Sequence, residues 1–393
     1  MSEKSVIFIA SGGTGGHIIP ARCLALELSG QGFDVVFLGD KKYRSYIKES
    51  DHFSSKIINS SKLEKSIFKL LKAVLAISLG ILQSSWLFLR HRPKYIIAFG
   101  GYATFPILVA AIIFRVKIIL HEQNSHLGKV NRIFAKYADK IALSFKETSG
   151  IAADFFKKII FVGNPVRQEI LDLNQISYAL PKYEDEKIVP TKPVNKMGYD
   201  VLLASDFFED DEEENEEELF NVLIIGGSGG AKIFSEILPK AFFNLNDYIK
   251  EHLHITQQCR AELIEKTFEQ YKSFNISITV DAFFEDMSEL IKSAHLVISR
   301  SGSSSIFEFC AAKKPMILIP FAAAADNHQE KNARYLEKNG AAIVITENEF
   351  TINKINDVLK NLINHQEKLE KMSSNASNLA TLNATKNLAN LIK

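Results

Sequence analysis

The sequence predicts an α/β protein built as two doubly wound domains. Three observations carry that expectation. The chain has 393 residues, long for one core and comfortable for two. Short apolar runs alternate with longer helical patterns along it. A glycine-rich string follows the first apolar run of each half.

The apolar runs fall at 6–10, 35–38, 95–99, 117–120 and 140–143, then at 222–225, 254–257, 277–280, 296–299, 316–319 and 342–345. Strands separated by helices imply parallel sheets covered on both faces. The first residues run straight into an apolar strand with no basic n-region, so no signal peptide is expected. Residues 372–393 read as one helix.

The two series are separated by an acidic stretch. Asp206 to Glu218 holds ten acidic residues in thirteen, a run that repels itself and offers little to bury. The expected boundaries are therefore 1–170 for the first domain and 171–219 for an acidic, disordered linker insertion. The second domain is expected at 220–378, with a C-terminal helix at 379–393 returning to the first domain. Between Asp172 and Glu218 fifteen Asp and Glu face four Lys, so the remainder of a chain of net charge +1 is strongly basic. That suits anionic partners. Cys23, Cys259 and Cys310 are far apart and form no CxxC pair, which argues against a disulfide framework or a zinc cage.

Gly12-Gly13-Thr14-Gly15-Gly16-His17 follows the first run, and Gly226-Gly227-Ser228-Gly229-Gly230 follows the first run of the second half. Glycines let a backbone approach a ligand, and the helix N-terminus behind them favours an anion. Neither string ends in the Gly-Lys-Ser/Thr of a P-loop. Neither completes GxGxxG, because Ile18 and Lys232 hold the last position. Pro20 suits the first turn of the following helix. His17 is suited to serve as a general base near neutral pH, or simply to cap the helix.

His121-Glu122-Gln123-Asn124 lies at a strand's C-terminal end, on the rim where ligands bind in open α/β sheets. Gly163-Asn164-Pro165-Val166-Arg167 closes the first half with a cation for a phosphate. Arg300-Ser301-Gly302-Ser303-Ser304-Ser305 opens a helix, with Glu308 one turn on. Glu308 reads as an exposed carboxylate for ribose hydroxyls, or as a helix-dipole partner of little energetic weight. The polar string from Asp326 through Asn332 adds hydrogen-bonding groups.

Taken in order, GGTGGHxxP, HEQN, GNPVR, GGSxGA, RSGxxSxxE and HQxxNA resemble the motifs of the family often called MurG. The likeness spans both halves, interrupted by the acidic insertion. It implies a GT-B fold, in which two Rossmann-like domains face a central cleft. It also implies transfer of N-acetylglucosamine from UDP-N-acetylglucosamine to undecaprenyl-pyrophosphoryl-muramyl-pentapeptide, with inversion. The donor contacts implied are Thr14, Gly15, Gly16, Asn124, Arg167, Ser228, Phe284, Ser303, Ser304, Ser305, Ile306, Phe307, Glu308 and Gln329. Asn332 is a further sugar contact, and His17 the catalytic base. Phe284 stands where relatives commonly carry isoleucine, Ser305 where they carry threonine. Thr256-Gln257-Gln258-Cys259 departs from their usual string, so no role is assigned there.

No cofactor and no metal is expected; the metal-nucleotide motif Asp-x-Asp occurs nowhere in the chain. An anionic membrane surface at the cytoplasmic face of the inner membrane and a cell-wall synthesis complex are expected partners. No nucleic acid is expected, since no aromatic-basic platform is present. Residues 73–89 are apolar and flanked by basic side chains, and read either as an interfacial helix or as a buried packing helix. Lys129, Arg132, Lys136 and Lys140 are spaced as one helical face for lipid headgroups. Transfer to another lipid acceptor, epimerisation of the UDP-sugar, and a non-catalytic UDP-sugar-binding scaffold remain as alternatives.

Overall fold

The structure is a computed structural model that describes residues 5–62, 66–181, 219–227 and 230–392. Most of the acidic insertion, including residues 206–218, and Ser228 lie outside the described residues. A seven-stranded sheet contains β1 (Val6–Ala10), β2 (Asp34–Gly39), β3 (Ser54–Ile57), β4 (Tyr95–Ala98), β5 (Lys117–Glu122), β6 (Lys140–Leu143) and β7 (Ile159–Phe161). Its order is β3-β2-β1-β4-β5-β6-β7. A six-stranded sheet contains β8 (Phe220–Ile225), β9 (Leu253–Gln258), β10 (Ser277–Asp281), β11 (Leu296–Ser299), β12 (Met316–Leu318) and β13 (Ala342–Val344), in the order β10-β9-β8-β11-β12-β13. The described residues pack as two compact units, one drawn from 1–177, 300–349 and 371–393, the other from 178–299 and 350–370.

In the first unit the helices are α1 (Gly15–Gly30), α2 (Ile67–His91), α3 (Phe105–Ile113), α4 (Lys129–Phe134) and α5 (Gln168–Asp172). The strand period of two divides the side chains of the first sheet between two cores. Ile7, Ile9, Val35, Phe37 and Ile97 face α1, while Phe8, Ala10, Val36, Leu38 and Ile96 face α2 and α3. The parallel register sets Ile7 beside Val35 and Tyr95.

The second unit carries α6 (Lys232–Phe243), α7 (Asp247–Glu251), α8 (Ile264–Ser273) and α9 (Met287–Ser293). A buried chain there joins Tyr271 to Gln257, and Gln257 to Ser235. The remaining helices are α10 (Ser303–Ala311), α11 (His328–Lys338), α12 (Ile352–Ile363), α13 (Gln366–Leu379) and α14 (Ala384–Ala389). The expected single helix over 372–393 is thus broken between Leu379 and Ala384, where Thr381 lies against Gly163. Beyond the break, Leu388, Ala389 and Ile392 pack into the core with Ile7 and Ile9.

Three other expectations change. Pro20 is the sixth residue of α1, not in its first turn. The four basic residues from Lys129 to Lys140 do not share a helical face, because α4 ends at Phe134 and Lys140 opens β6. Arg132 and Lys129 instead approach Asp326, at 2.6 and 3.9 Å. Finally, α2 is both packed and open. Ala73, Ser84, Leu87 and Phe88 are buried, whereas Leu71, Leu75, Leu82, Trp86 and Leu89 recur at helical spacing on an exposed face.

Gly80 sits on the packed face, where an added Cβ would collide with the Asn59 carbonyl oxygen. On propensity alone, Gly→Ala inside a helix gains about 1 kcal/mol. The backbone contact reverses the sign, so Gly80→Ala should destabilise by about 1–3 kcal/mol. Denaturant unfolding checks this, and a stabilised variant would refute the packing account.

Candidate active site

The first glycine loop is held from below by a carboxylate. Asp40, just past β2, accepts the Gly13 N–H at 3.2 Å and the Tyr102 hydroxyl at 2.5 Å. Burial, and then Asp40 itself, hold the Tyr102 phenol protonated well above its ordinary range. Gly13 takes φ +86°, open to glycine at little cost, and turns the chain into α1. Thr14 remains exposed at the tip, and its carbonyl accepts the N–H groups of His17 and Ile18.

Pro20 has no N–H to offer the carbonyl four residues back. That carbonyl belongs to Gly16, and the Ser304 hydroxyl donates to it at 3.1 Å. The start of α10 is thereby tied to the start of α1. His17, half-buried beside them, lies 2.9 Å from Thr14 Oγ1 through Nδ1. Burial, then the nearby His328, push the imidazole down to about 4. The ring is thereby held in its uncharged form near neutral pH, the form a general base requires.

The segment after β5 is organised by Glu122, which is 2% exposed. One carboxylate oxygen accepts the backbone and side-chain N–H groups of Asn124, at 3.1 and 3.0 Å. The other accepts Gly128 N–H and Asn131 Nδ2, both at 2.8 Å. Burial raises its pKa, and these hydrogen bonds oppose the rise. With both oxygens engaged, Glu122 positions its neighbours and is not poised to take a substrate proton. Buried His121, pushed down to about 4 by burial, hydrogen-bonds Gly163 and Gln123.

Asn332 on α11 is fully buried and satisfied by protein. Its oxygen accepts Ser125 N–H and Ser125 Oγ–H, and its amide nitrogen donates to Asn124 Oδ1 and the Ser301 carbonyl. Gln329 is half-buried, its side-chain oxygen accepting Phe321 N–H at 2.9 Å.

Glu308 is not the exposed carboxylate expected. It is 5% exposed and grips Arg167 in a two-pronged pair, Nε to Oε1 at 2.7 Å and Nη2 to Oε2 at 2.9 Å. Burial opposes the arginine's charge, while the carboxylate more than restores it. Two residues read separately as donor contacts are therefore partners. Ser303 and Ser304 are buried and Ser305 half-buried at the head of α10, whereas Ile306 and Phe307 place their side chains in the core, Phe307 against Phe145. Only the backbone of those two is left for a ligand.

The first unit thus brings together residues 14–17, Asn124, Arg167, 303–308, Gln329 and Asn332. Phe284 belongs to the second unit, half-buried in the turn after β10 that Asp281 organises. Asp40, Tyr102, Ser125 and Asn131 carried no role in the sequence reading. A signal existed for Tyr102, since Gly100 and Gly101 form a third glycine pair behind a strand, both at positive φ.

Residues 7–143 match the glycosyltransferase family 28 N-terminal domain, and 221–392 the family 28 C-terminal domain. The chain is similar to a UDP-N-acetylglucosamine–N-acetylmuramyl-(pentapeptide) pyrophosphoryl-undecaprenol N-acetylglucosamine transferase of Bartonella tribocorum. Identity is 33% over 392 residues, covering 100% of this chain and 94% of that one. A relative of the same name from Paramagnetospirillum magneticum is 32% identical, covering 100% and 97%. Among solved structures, MurG of Acinetobacter baumannii superposes with a TM-score of 0.72 at 25% identity, covering 99% of each chain.

The pairing predicts what loss of Glu308 does. Glu308→Ala should cost about 2–4 kcal/mol of stability, since it strands a largely buried guanidinium. Removing Arg167 as well should recover part of that loss in urea unfolding. A cost below about 0.5 kcal/mol, the size of an ordinary surface change, would show that the pair is idle.

Proposed function

Because the chain belongs to the MurG family of glycosyltransferases, we infer that it transfers N-acetylglucosamine from UDP-N-acetylglucosamine to N-acetylmuramyl-(pentapeptide) pyrophosphoryl-undecaprenol. That is the step from lipid I to lipid II in peptidoglycan synthesis. Full-length likeness to transferases of that name carries the reading. The fold agrees, with two parallel sheets of seven and six strands.

Within that activity we assign residues 220–378 to the nucleotide-sugar and 1–170 to the acceptor and membrane. The leaving UDP draws on the backbone at the head of α10 and on Arg167, charge stabilisation that is strongest where water is excluded. The acceptor hydroxyl attacks the anomeric carbon with inversion, and His17 takes its proton. At neutral pH the imidazole is uncharged and able to accept. A bound diphosphate next to it raises its proton affinity, because a nearby anion favours the charged form.

For membrane contact the support is α2. The most apolar window of its stretch Phe68–His91 has mean hydropathy 1.6 and is 22% buried. Phe68, Leu71, Leu75, Leu82, Trp86 and Leu89 are exposed, and Arg90 stacks on Trp86 at 5.3 Å. An apolar helical face with cations at its margin fits a helix lying in the plane of an anionic lipid surface. We assign the chain on this basis to the cytoplasmic face of the inner membrane, held peripherally.

Labelled N-acetylglucosamine offered as the UDP donor, with the lipid-linked muramyl-pentapeptide as acceptor, tests the reading directly. Wild-type chain should transfer the label, and His17→Ala should slow turnover by about 100- to 10,000-fold with the donor KM little changed. The wild-type kcat/KM should hold as pH falls to about 5, then drop towards the free-enzyme imidazole pKa of about 4. The limb in kcat should lie at higher pH, because the bound diphosphate favours the protonated ring. The variant should lack both limbs. Near-normal turnover in the variant would end the role of His17 as base.

Charge placed on the open face of α2 tests the membrane assignment. Leu82→Glu with Trp86→Glu should weaken binding to anionic vesicles by roughly tenfold or more, given the apolar area removed. Turnover of a water-soluble short-chain acceptor should be unchanged. Undiminished vesicle binding would exclude this face.

A further inference from the structure

A groove of about 600 Å³ opens between the loop after β6 and α11, with Ser125, Glu147, Lys331 and Lys338 among its walls. Nothing in the reaction described above uses it, yet it begins at the candidate site. Ser125 forms part of the wall and also bonds Asn332 through its N–H and hydroxyl, and Lys331 precedes Asn332 in α11.

Its charges are unequally matched. Lys338 is paired with Glu147 at 2.9 Å, and Arg334 with Glu337 at 2.7 Å and Glu330 at 3.7 Å. Lys331 has no carboxylate in ion-pair range among the described residues. The surplus is felt nearby, because burial first and then Lys331 hold the His126 imidazole below its ordinary value.

The hydroxyls are equally one-sided. Ser125 donates to Asn332, Thr148 to the Phe145 carbonyl and Ser149 to the Ser125 carbonyl. Ser149 Oγ is also engaged by His126 Nδ1 at 2.8 Å, so the lone pairs of Ser125 and Thr148 are what this wall offers a ligand. A diphosphate carries only acceptors and gains nothing from them. A peptide supplies amide N–H donors for the hydroxyls and a carboxylate for Lys331.

We propose that this groove binds the peptide stem of the acceptor, with a stem carboxylate on Lys331. The proposal rests on the transferase reading and adds to it a subsite that selects peptide-bearing acceptors. The volume fits, since clefts for ligands of this size run from about 300 to 1,000 Å³.

The test compares two acceptors on the full chain, the lipid-pyrophosphoryl-muramyl-pentapeptide and the same lipid with its peptide removed. Wild type should favour the first by roughly tenfold or more in kcat/KM. Lys331→Ala should shrink that preference about five- to tenfold through the acceptor KM, with the donor KM unmoved, and Lys331→Arg should restore it. Equal kcat/KM for the two acceptors in wild type would overturn the proposal. So would a rise in donor KM in Lys331→Ala, which would give the groove to the nucleotide. Transfer to neither acceptor would remove the underlying reading and this inference with it.

Discussion

The arrangement depends on one dehydrated carboxylate. Glu122 has no cation beside it among its hydrogen-bond partners; four N–H groups from Asn124, Gly128 and Asn131 take its place. A buried charge without such donors costs several kcal/mol, so the loop after β5 has little freedom once the strand is formed. That rigidity passes outward. It fixes Asn124, whose oxygen meets Asn332, and Asn332 in turn holds Ser125 and Ser301.

A second constraint comes from an absent hydrogen. Pro20 leaves the Gly16 carbonyl without its helical partner, and the Ser304 hydroxyl fills the gap. The two helix starts that flank the glycine loop are joined by a bond that neither helix makes within itself. Such side-chain satisfaction of an orphan carbonyl explains how a proline is tolerated inside α1.

Much of this was legible before any coordinates. β1, β6 and β11 fall where their apolar runs end, because a strand buried on both faces reads as an unbroken hydrophobic string. β3 was missed for the converse reason. Ser54-Ser55-Lys56-Ile57 lies at the sheet edge and carries polar residues on a half-solvated strand. β7, three residues on the opposite edge, is too short for any periodicity to show. Within the site, motif order gave the residues but not their partners. Arg167 and Glu308 are 141 positions apart, and no local pattern says that they meet. The basic spacing from Lys129 to Lys140 misled because periodicity assumes a helix that continues, and α4 stops after six residues.

The Arg167–Glu308 pair also bears on what the proposed donor site would ignore. Under the donor contacts assigned above, a bare phosphate can draw Arg167 away but leaves Glu308 under protein with no replacement donor. For a buried charged group that loss is on the order of 1–3 kcal/mol or more. A nucleotide brings a phosphate and a pair of ribose hydroxyls together, and so replaces both halves of the pair. If Arg167 and Glu308 contact the donor as proposed, small inorganic anions would be discriminated against without a steric gate.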